Sequence, residues 1–280
     1  MAAMALLDSR GDRLSRWIAD HGRVFVLTGA GCSTASGIPD YRDEDGEWKR
    51  RPPVMFQAFR TQDAIYRRYW ARAFAGWPRF ISAAPNAAHL ALAAWEEAGT
   101  LSHLVTQNVD GLHQRAGSRA VIDLHGRLDL VVCLGCGERT SREALQERIA
   151  AANADWRADA AVAPDGDADV EAVAVSSFSP PHCERCGGLL KPDVVFFGEN
   201  VPPDRYARAR EALAAADALL VAGSSLMVYS GFRFVRAAHE AGLSIAIVNR
   251  GRTRGDEFAE LKIEDDVSTT LTAAVAGVRS

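Results

Sequence analysis

At 280 residues, 48% of them hydrophobic and 24% charged, the chain is long enough to bury a full core and has the make-up of a soluble globular enzyme. Its net charge of −4 supplies no basic field, which argues against nucleic acid or any other polyanion as a partner. No apolar run approaches the ~18 residues that span a bilayer, and the opening MAAMALL meets Asp8 without a basic start, so neither a membrane anchor nor a secretory leader is expected.

In chain order, a helix is predicted over 14–20, then an apolar strand over 23–28 that runs into Gly29-Ala30-Gly31-Cys32-Ser33-Thr34-Ala35-Ser36-Gly37. Glycines directly after a strand let the backbone turn approach a pyrophosphate, whose charge then meets amides at a helix N-terminus. The dehydrogenase spacing G-x-G-x-x-G fails here, because Thr34 stands where the third glycine belongs. Residues 43–78 are charged and aromatic (Trp48, Tyr66, Tyr69, Trp70, Phe74, Trp77) and predict a loop followed by a helix.

A helix over 87–98 and strands over 101–106 and 121–124 follow. Residues 133–186 interrupt the pattern with two cysteine pairs and a Pro/Asp/Gly-rich stretch, 161–181, that reads as a surface loop. Strands over 194–197, 218–222 and 244–248, with helices over 203–215 and 231–241, complete the series. Strands of this composition are buried and parallel, and their alternation with helices argues for an α/β, doubly wound parallel sheet. Such sheets bind ligands beyond the carboxyl ends of their strands.

Cys133-Leu-Gly-Cys136 and Cys183-Glu-Arg-Cys186 are each followed by a glycine, Gly137 or Gly187. Two residues between sulfurs let one tight turn aim both thiolates at a single ion. Two such turns make a closed tetrahedral set, with Zn–S near ~2.3 Å, that leaves no open position for catalysis. A redox dithiol or four unrelated thiols is the plainer alternative, and the 46-residue gap exceeds that of a common zinc ribbon. Five cysteines, four of them paired in this way, suit a metal site in a reducing compartment, so the cytoplasm is the expected location. Cys32 reads as a small packing residue.

Taken together, these segments resemble the sirtuin family along nearly the whole chain. The resemblance is carried by the glycine loop through Ile38-Pro39-Asp40-Tyr41-Arg42, by Thr106-Gln107-Asn108-Val109-Asp110-Gly111-Leu112-His113 and by Leu124-His125-Gly126. Lys191-Pro192-Asp193-Val194-Val195-Phe196-Phe197-Gly198-Glu199, Gly223-Ser224-Ser225-Leu226 and Asn249-Arg250-Gly251 extend it. Arg68-Tyr69-Trp70-Ala71-Arg72, Gly76-Trp77-Pro78 and Ala163-Pro164-Asp165-Gly166-Asp167 are similar to the class II, sirtuin-4-like branch in its bacterial form.

The resemblance implies a Rossmann-like, NAD-binding large domain (1–42, 79–130 and 190–280), a loop and helical insertion (43–78) and a zinc-binding small lobe (131–189). It implies NAD as co-substrate, one structural zinc on Cys133, Cys136, Cys183 and Cys186, and acyl-lysine proteins as substrates; the oligomeric state is left open, with a monomer favoured. Gly29, Ala30, Gly31 and Ser33 would cradle the pyrophosphate, with Tyr41 and Arg42 over the nicotinamide ribose. Gln107, Asn108 and Asp110 would form the nicotinamide and ribose pocket, while Gly223, Ser224, Ser225, Asn249, Arg250, Gly251 and Val267 would lie along the adenosine half. Val194, Phe196, Phe197, Gly198 and Glu199 would border the acyl-lysine tunnel, where an extended strand can pair with substrate backbone.

The implied chemistry has the acyl oxygen of a modified lysine attack the anomeric carbon as nicotinamide departs, after which a base takes a proton from a ribose hydroxyl. His125 is the candidate base, since an unperturbed imidazole titrates near ~6.5, and Asn108 is the second catalytic candidate. A lone histidine after a strand is ordinarily a satisfied polar residue, and only the surrounding motifs lift His125 above that. His21 and His239 read as helix-end surface residues, His113 as structural, and His89 and His103 carry no assigned chemistry. His182 precedes Cys183 and competes as a zinc ligand only if the four cysteines leave the shell open. Tyr69-x-x-Arg72 has the spacing used to grip an acidic acyl chain, but a packing stripe on an amphipathic helix is the favoured reading. Mono-ADP-ribosyl transfer at the same site, a non-catalytic NAD or ADP-ribose sensor, and a zinc-ribbon interaction module are the competing functions.

Overall fold

The structure, a computed structural model, describes residues 10–40, 47, 49, 53–157 and 175–278. Helix α1 (Arg10–Ala19) leads into β1 (Val24–Thr28), whose five residues are all buried. A strand with no solvent face must be covered on both sides, and that requirement sets the architecture. Val24 and Val26 join one core, whereas Phe25 and Leu27, pointing the other way, join a second.

The larger sheet is completed by β2 (Leu101–Thr106), β3 (Val121–Asp123), β7 (Ala218–Ala222), β8 (Ser244–Val248) and β9 (Leu261–Ile263). Its order is β3-β2-β1-β7-β8-β9, and every pairing is parallel. Helices α1, α4 (Ala87–Glu97) and α9 (Val267–Val278) cover the first face through Leu14, Trp17, Ile18, Leu92, Trp95 and Leu271. The other face carries α7 (Pro203–Ala214) and α8 (Tyr229–Glu240), with Leu213, Phe234 and Val235 fully or almost fully buried. The chain moves outward from β1 to β2 and β3, then returns to the other side of β1 with β7. The β1/β7 junction is therefore the topological switch point, where a doubly wound sheet opens its ligand crevice.

Between β3 and β7 the chain leaves the sheet. A second sheet has the order β5-β4-β6, from β4 (Gly126–Cys133), β5 (Arg139–Ser141) and β6 (Leu190–Val194), and it is antiparallel throughout. Helices α2 (Phe56–Thr61), α3 (Asp63–Ile81) and α6 (Arg142–Ala152) share a third core with it, built on Phe59, Tyr66, Trp70, Leu145 and Phe178. The helix expected before residue 78 thus continues through Pro78 to Ile81. Within this lobe the Arg142 guanidinium is buried, and among the described residues no acid pairs with it. It packs over the faces of Trp70 and Trp77, 5.5 and 4.8 Å from their ring centres.

The parallel strand expected over 194–197 is corrected by this arrangement. The strand is β6, it ends at Val194, and it pairs antiparallel with β4. The physical reason is connectivity: β4 and β6 are the outgoing and returning legs of one excursion, so β6 runs back along β4 in the opposite direction on the side away from β5. Of the loop expected over 161–181, residues 161–174 lie outside the described residues, as do 163–167 of the branch motif. From Val175 onward the chain is anchored by buried Val175 and Phe178, while Ser176, Ser177 and Ser179 stay exposed as a surface loop requires. Among the described residues no helix is long and apolar enough to cross a membrane.

Candidate active site

The crevice opens where β1 and β7 end. Gly31 N donates to Gly223 O at 2.9 Å, joining the loops that leave the two strands. A Cβ on Gly29 would lie 2.8 Å from Gly223 O and from Ser224 Cβ, so the glycines are required by this loop-to-loop approach. The chain after β1 forms two short 3₁₀ turns, Ala30–Cys32 and Thr34–Ser36, in place of the α-helix start that the glycine pattern suggested.

A cavity of about 750 Å³ extends from this junction to the small lobe. Gly29, Ala30, Gly31 and Ser33 line it, followed by Gln107, Asn108, Asp110 and His125. Gly223, Ser224, Ser225, Asn249, Arg250 and Val267 form its far end, and Val194, Phe196, Phe197, Gly198 and Glu199 its rim on the small-lobe side. One expected residue is not on the wall: Gly251 turns away, and its carbonyl accepts from Lys262 Nζ at 3.1 Å. Tyr41 and Arg42 lie outside the described residues.

Backbone-directed hydrogen bonds hold the polar wall in place. Asn108 Nδ2 donates to Gly29 O and Ser33 Oγ, each at 3.0 Å, and Ser33 Oγ donates to Asp110 Oδ2 at 2.7 Å. Asp110 Oδ1 accepts from Leu112 N at 2.9 Å, which starts the short helix α5 (Leu112–Arg115). Gln107 Nε2 bridges the switch point by donating to Ser224 Oγ at 2.8 Å. Glu199 is drawn into the wall: its Oε2 accepts from Lys191 Nζ at 2.9 Å and from Phe196 N at 2.7 Å, pinning the turn after β6.

His125 sits half-buried between the two sheets, at the turn from β3 into β4. Its Nδ1 lies 2.9 Å from Gln107 O and its Nε2 2.7 Å from Ser230 Oγ. Burial pushes the imidazole down to about 4, the Gln107 carbonyl pulls it up, and the charges of Arg205 and Arg233 add to the downward push. The ring is therefore neutral near pH 7 and can take a proton. Ser230 was absent from the sequence-based site. It stands in the first turn of α8, and no local spacing or composition marks it as a cavity residue.

Other histidines are accounted for by packing. His113 Nε2 lies 2.9 Å from Thr28 Oγ1, and the His113 ring stands 4.7 Å from that of His89, which caps α4 by accepting from Asn86 N. His21 lies against Trp17 and His239 against Phe258. Cys32 is fully buried, and burial, reinforced by Asp110 and Asp266, pushes its thiol well above the usual range, so packing is its role.

The four paired cysteines converge at the far end of the small lobe. Their Sγ atoms all lie within 4.8 Å of one another, with Cys133–Cys186 at 3.5 Å and Cys136–Cys183 at 3.7 Å. Four sulfurs ~2.3 Å from one tetrahedral ion would stand about 3.8 Å apart, so the set fits zinc. Gly137 and Gly187, both at positive φ near 70°, close the two knuckles. His182 lies outside the set and packs against Tyr66.

Comparison with known proteins agrees with this geometry. The Sir2 family model matches residues 29–230. An NAD-dependent protein deacetylase 2 of Bradyrhizobium diazoefficiens is 60% identical over 259 residues, covering 92% of this chain and 95% of its own. The human NAD-dependent protein lipoamidase sirtuin-4, mitochondrial, is 52% identical over 254 residues, covering 89% and 81%. Among solved structures, one described as Sir2-p53 peptide-NAD+ superimposes with a TM-score of 0.72 at 31% identity, covering 92% of this chain and 94% of the other. With the glycine loop, the Gly223–Ser225 turn across from it, the His125 turn and the cysteine set all inside the matched span, the chain belongs to the Sir2 family.

Proposed function

We propose that the protein is an NAD-dependent protein-lysine deacylase that transfers the acyl group to ADP-ribose and releases nicotinamide and free lysine. The observation that carries this is the placement of His125, a neutral imidazole between the crevice of the parallel sheet and the strand end that can pair with a peptide. NAD supplies the anomeric carbon at which the acyl oxygen attacks as nicotinamide leaves. Gly29, Ala30, Gly31 and Ser33 bind its pyrophosphate, Asn108 and Asp110 orient the nicotinamide ribose, and Ser224, Ser225 and Asn249 hold the adenosine half. His125 takes the ribose proton, and Val194, Phe196, Phe197 and Gly198 guide the substrate lysine. Zinc on Cys133, Cys136, Cys183 and Cys186 is structural, because a closed thiolate shell offers no position to substrate. Thiolates of this kind favour a reducing compartment, and we place the protein in the cytoplasm.

We further assign the chain to the class II, sirtuin-4-like branch, a reading supported by its likeness to the human protein and by the 68–72 segment. The acyl end of the cavity is apolar, with Ile38, Val54, Phe80, Val109 and Leu128 on its wall. Tyr69 is on that wall too, edge-on to Phe59 and tilted against Phe196, while Arg72 is not among the wall residues. This supports Tyr69 as part of a packing stripe and uncharged acyl chains as the preferred substrates.

Mass spectrometry of acetyl-, glutaryl- and long-chain-acyl-lysine peptides, incubated with and without NAD, tests the reading. The expected result is NAD-dependent acyl loss with nicotinamide release, fastest on an uncharged chain. A glutaryl preference overturns the acyl assignment. Gain of ADP-ribose mass without acyl loss moves the function to ADP-ribosyl transfer.

A further inference from the structure

The second hydrogen bond of His125 has a consequence of its own. Gln107 O is a carbonyl oxygen and can only accept, so Nδ1 carries the ring proton and Nε2 is the bare nitrogen. Ser230 Oγ stands 2.7 Å from Nε2, and its hydroxyl therefore donates to the very lone pair that must take up a proton. Ser230 is half-buried on the cavity wall, and its neighbour Gly231 locks the distance. A Cβ at residue 231 would lie 2.4 Å from Gln107 Oε1, so the first turn of α8 rests directly on the residue whose carbonyl holds the other side of the ring. The His125 ring is clamped from both nitrogens by two segments in mutual contact.

We infer that Ser230 is a positioning residue for deacylation: its hydroxyl holds the His125 ring with Nε2 toward the cavity and accepts a hydrogen bond from Nε2 after proton uptake. This rests on His125 being the base. In the step itself the Ser230 O–H turns off the single Nε2 lone pair, the ribose O–H bond breaks, an Nε2–H bond forms on that lone pair and the ring gains the positive charge. The Ser230 hydroxyl then turns from donor to acceptor, and none of its own covalent bonds changes. A hydroxyl serves both states of the ring, and its bond to the imidazolium is the stronger because it is charge-assisted. A methyl group at the same place serves neither state.

The test compares wild type with Ser230→Ala, Ser230→Thr and His125→Ala in the full chain. Three quantities are read: kcat and KM for acyl loss, exchange of labelled nicotinamide into NAD, and the imidazole ¹⁵N spectrum without NAD. Ser230→Ala should lower kcat about 10- to 100-fold, the span of one hydrogen bond to a charged group, with both KM values within about twofold. Nicotinamide exchange, which precedes proton removal, should hold within about twofold of wild type, and that retention also certifies the fold. The Nε2 resonance of His125 should move downfield to that of an unbonded imidazole nitrogen, and threonine should restore most of kcat. A kcat unchanged in Ser230→Ala, exchange falling in step with deacylation, threonine as slow as alanine, or an unmoved Nε2 resonance each overturns the inference. Turnover retained in His125→Ala sinks the base assignment itself. An inactive His125→Ala beside a fully active Ser230→Ala sinks only the part given to Ser230.

Discussion

At the scale of single residues, the tightest constraint near the site is a hydrogen atom. Gly126 follows His125 at φ +84°, a conformation that L side chains rarely adopt, and a Cβ there would lie 1.9 Å from Asp193 O. The obstacle is backbone on the neighbouring strand, so no rotamer change relieves it. Gly126 pairs with Val194 at the start of the β4/β6 ladder, and beside it Val195 N donates to His125 O at 2.7 Å. Gly126→Ala should therefore open the ladder where it fixes the base, costing about 3 kcal/mol or more of stability. A urea midpoint like that of wild type would show that β6 can yield without cost. The sequence names Gly126 as a glycine behind a candidate base but not the strand it must clear, because Asp193 is 67 positions away. Ser230 was hidden for the same reason, at 105 positions from His125.

At the scale of elements, legibility followed burial. The expected strands 101–106, 218–222 and 244–248 coincide with β2, β7 and β8, because central parallel strands are covered on both faces and carry apolar residues over most of their length. The strands of the small lobe escaped for the opposite reason. β4 mixes exposed and buried positions, and β6 reads Leu-Lys-Pro-Asp-Val, with a proline that only an edge strand tolerates. What holds these short, half-polar strands is the metal set: Cys133 ends β4, and Cys183 and Cys186 precede β6. Cys133 and Cys183 also belong to the third core, so the ligands and the packing share residues. Cys183→Ser should then release zinc, from about one ion per chain to near none, and lower the melting temperature by about 5–15 °C, since ligation contributes to folding. Zinc analysis with a thermal scan checks this; an unchanged melting temperature at unchanged zinc content would contradict it.

Across the whole molecule, three histidines are held neutral: His125 at the turn between the two sheets, and His89 and His113, whose rings stand 4.7 Å apart. Burial pushes His125 to about 4 and also lowers His89, despite the pull of Asp110. His113, buried against His89, is lowered well below its ordinary value by burial and then by its neighbour's charge. The sign of the effect on stability follows from proton counting. In the unfolded chain these groups titrate near ~6.5, above their folded values, so between pH 6.5 and about 4 the unfolded state binds more protons. Stability must then fall as pH drops through that window and rise as pH climbs out of it. The carboxylates that are paired in the fold, Asp217 with Arg23, Asp256 with Lys262 and Asp265 with Arg10, have lowered values and withdraw their contribution only at lower pH. Acid sensitivity should thus begin one to two units above the usual carboxylate range, at about pH 6. Urea midpoints measured from pH 7 to pH 5 should decline steadily, with proton uptake on unfolding at pH 5 detectable in buffers of different ionisation enthalpy. His89→Gln, which keeps a neutral polar group in α4, should flatten the decline. Midpoints constant from pH 7 to pH 5 would mean that these rings reach solvent and protonate in the folded state, and would remove the basis for a neutral His125 in the closed crevice.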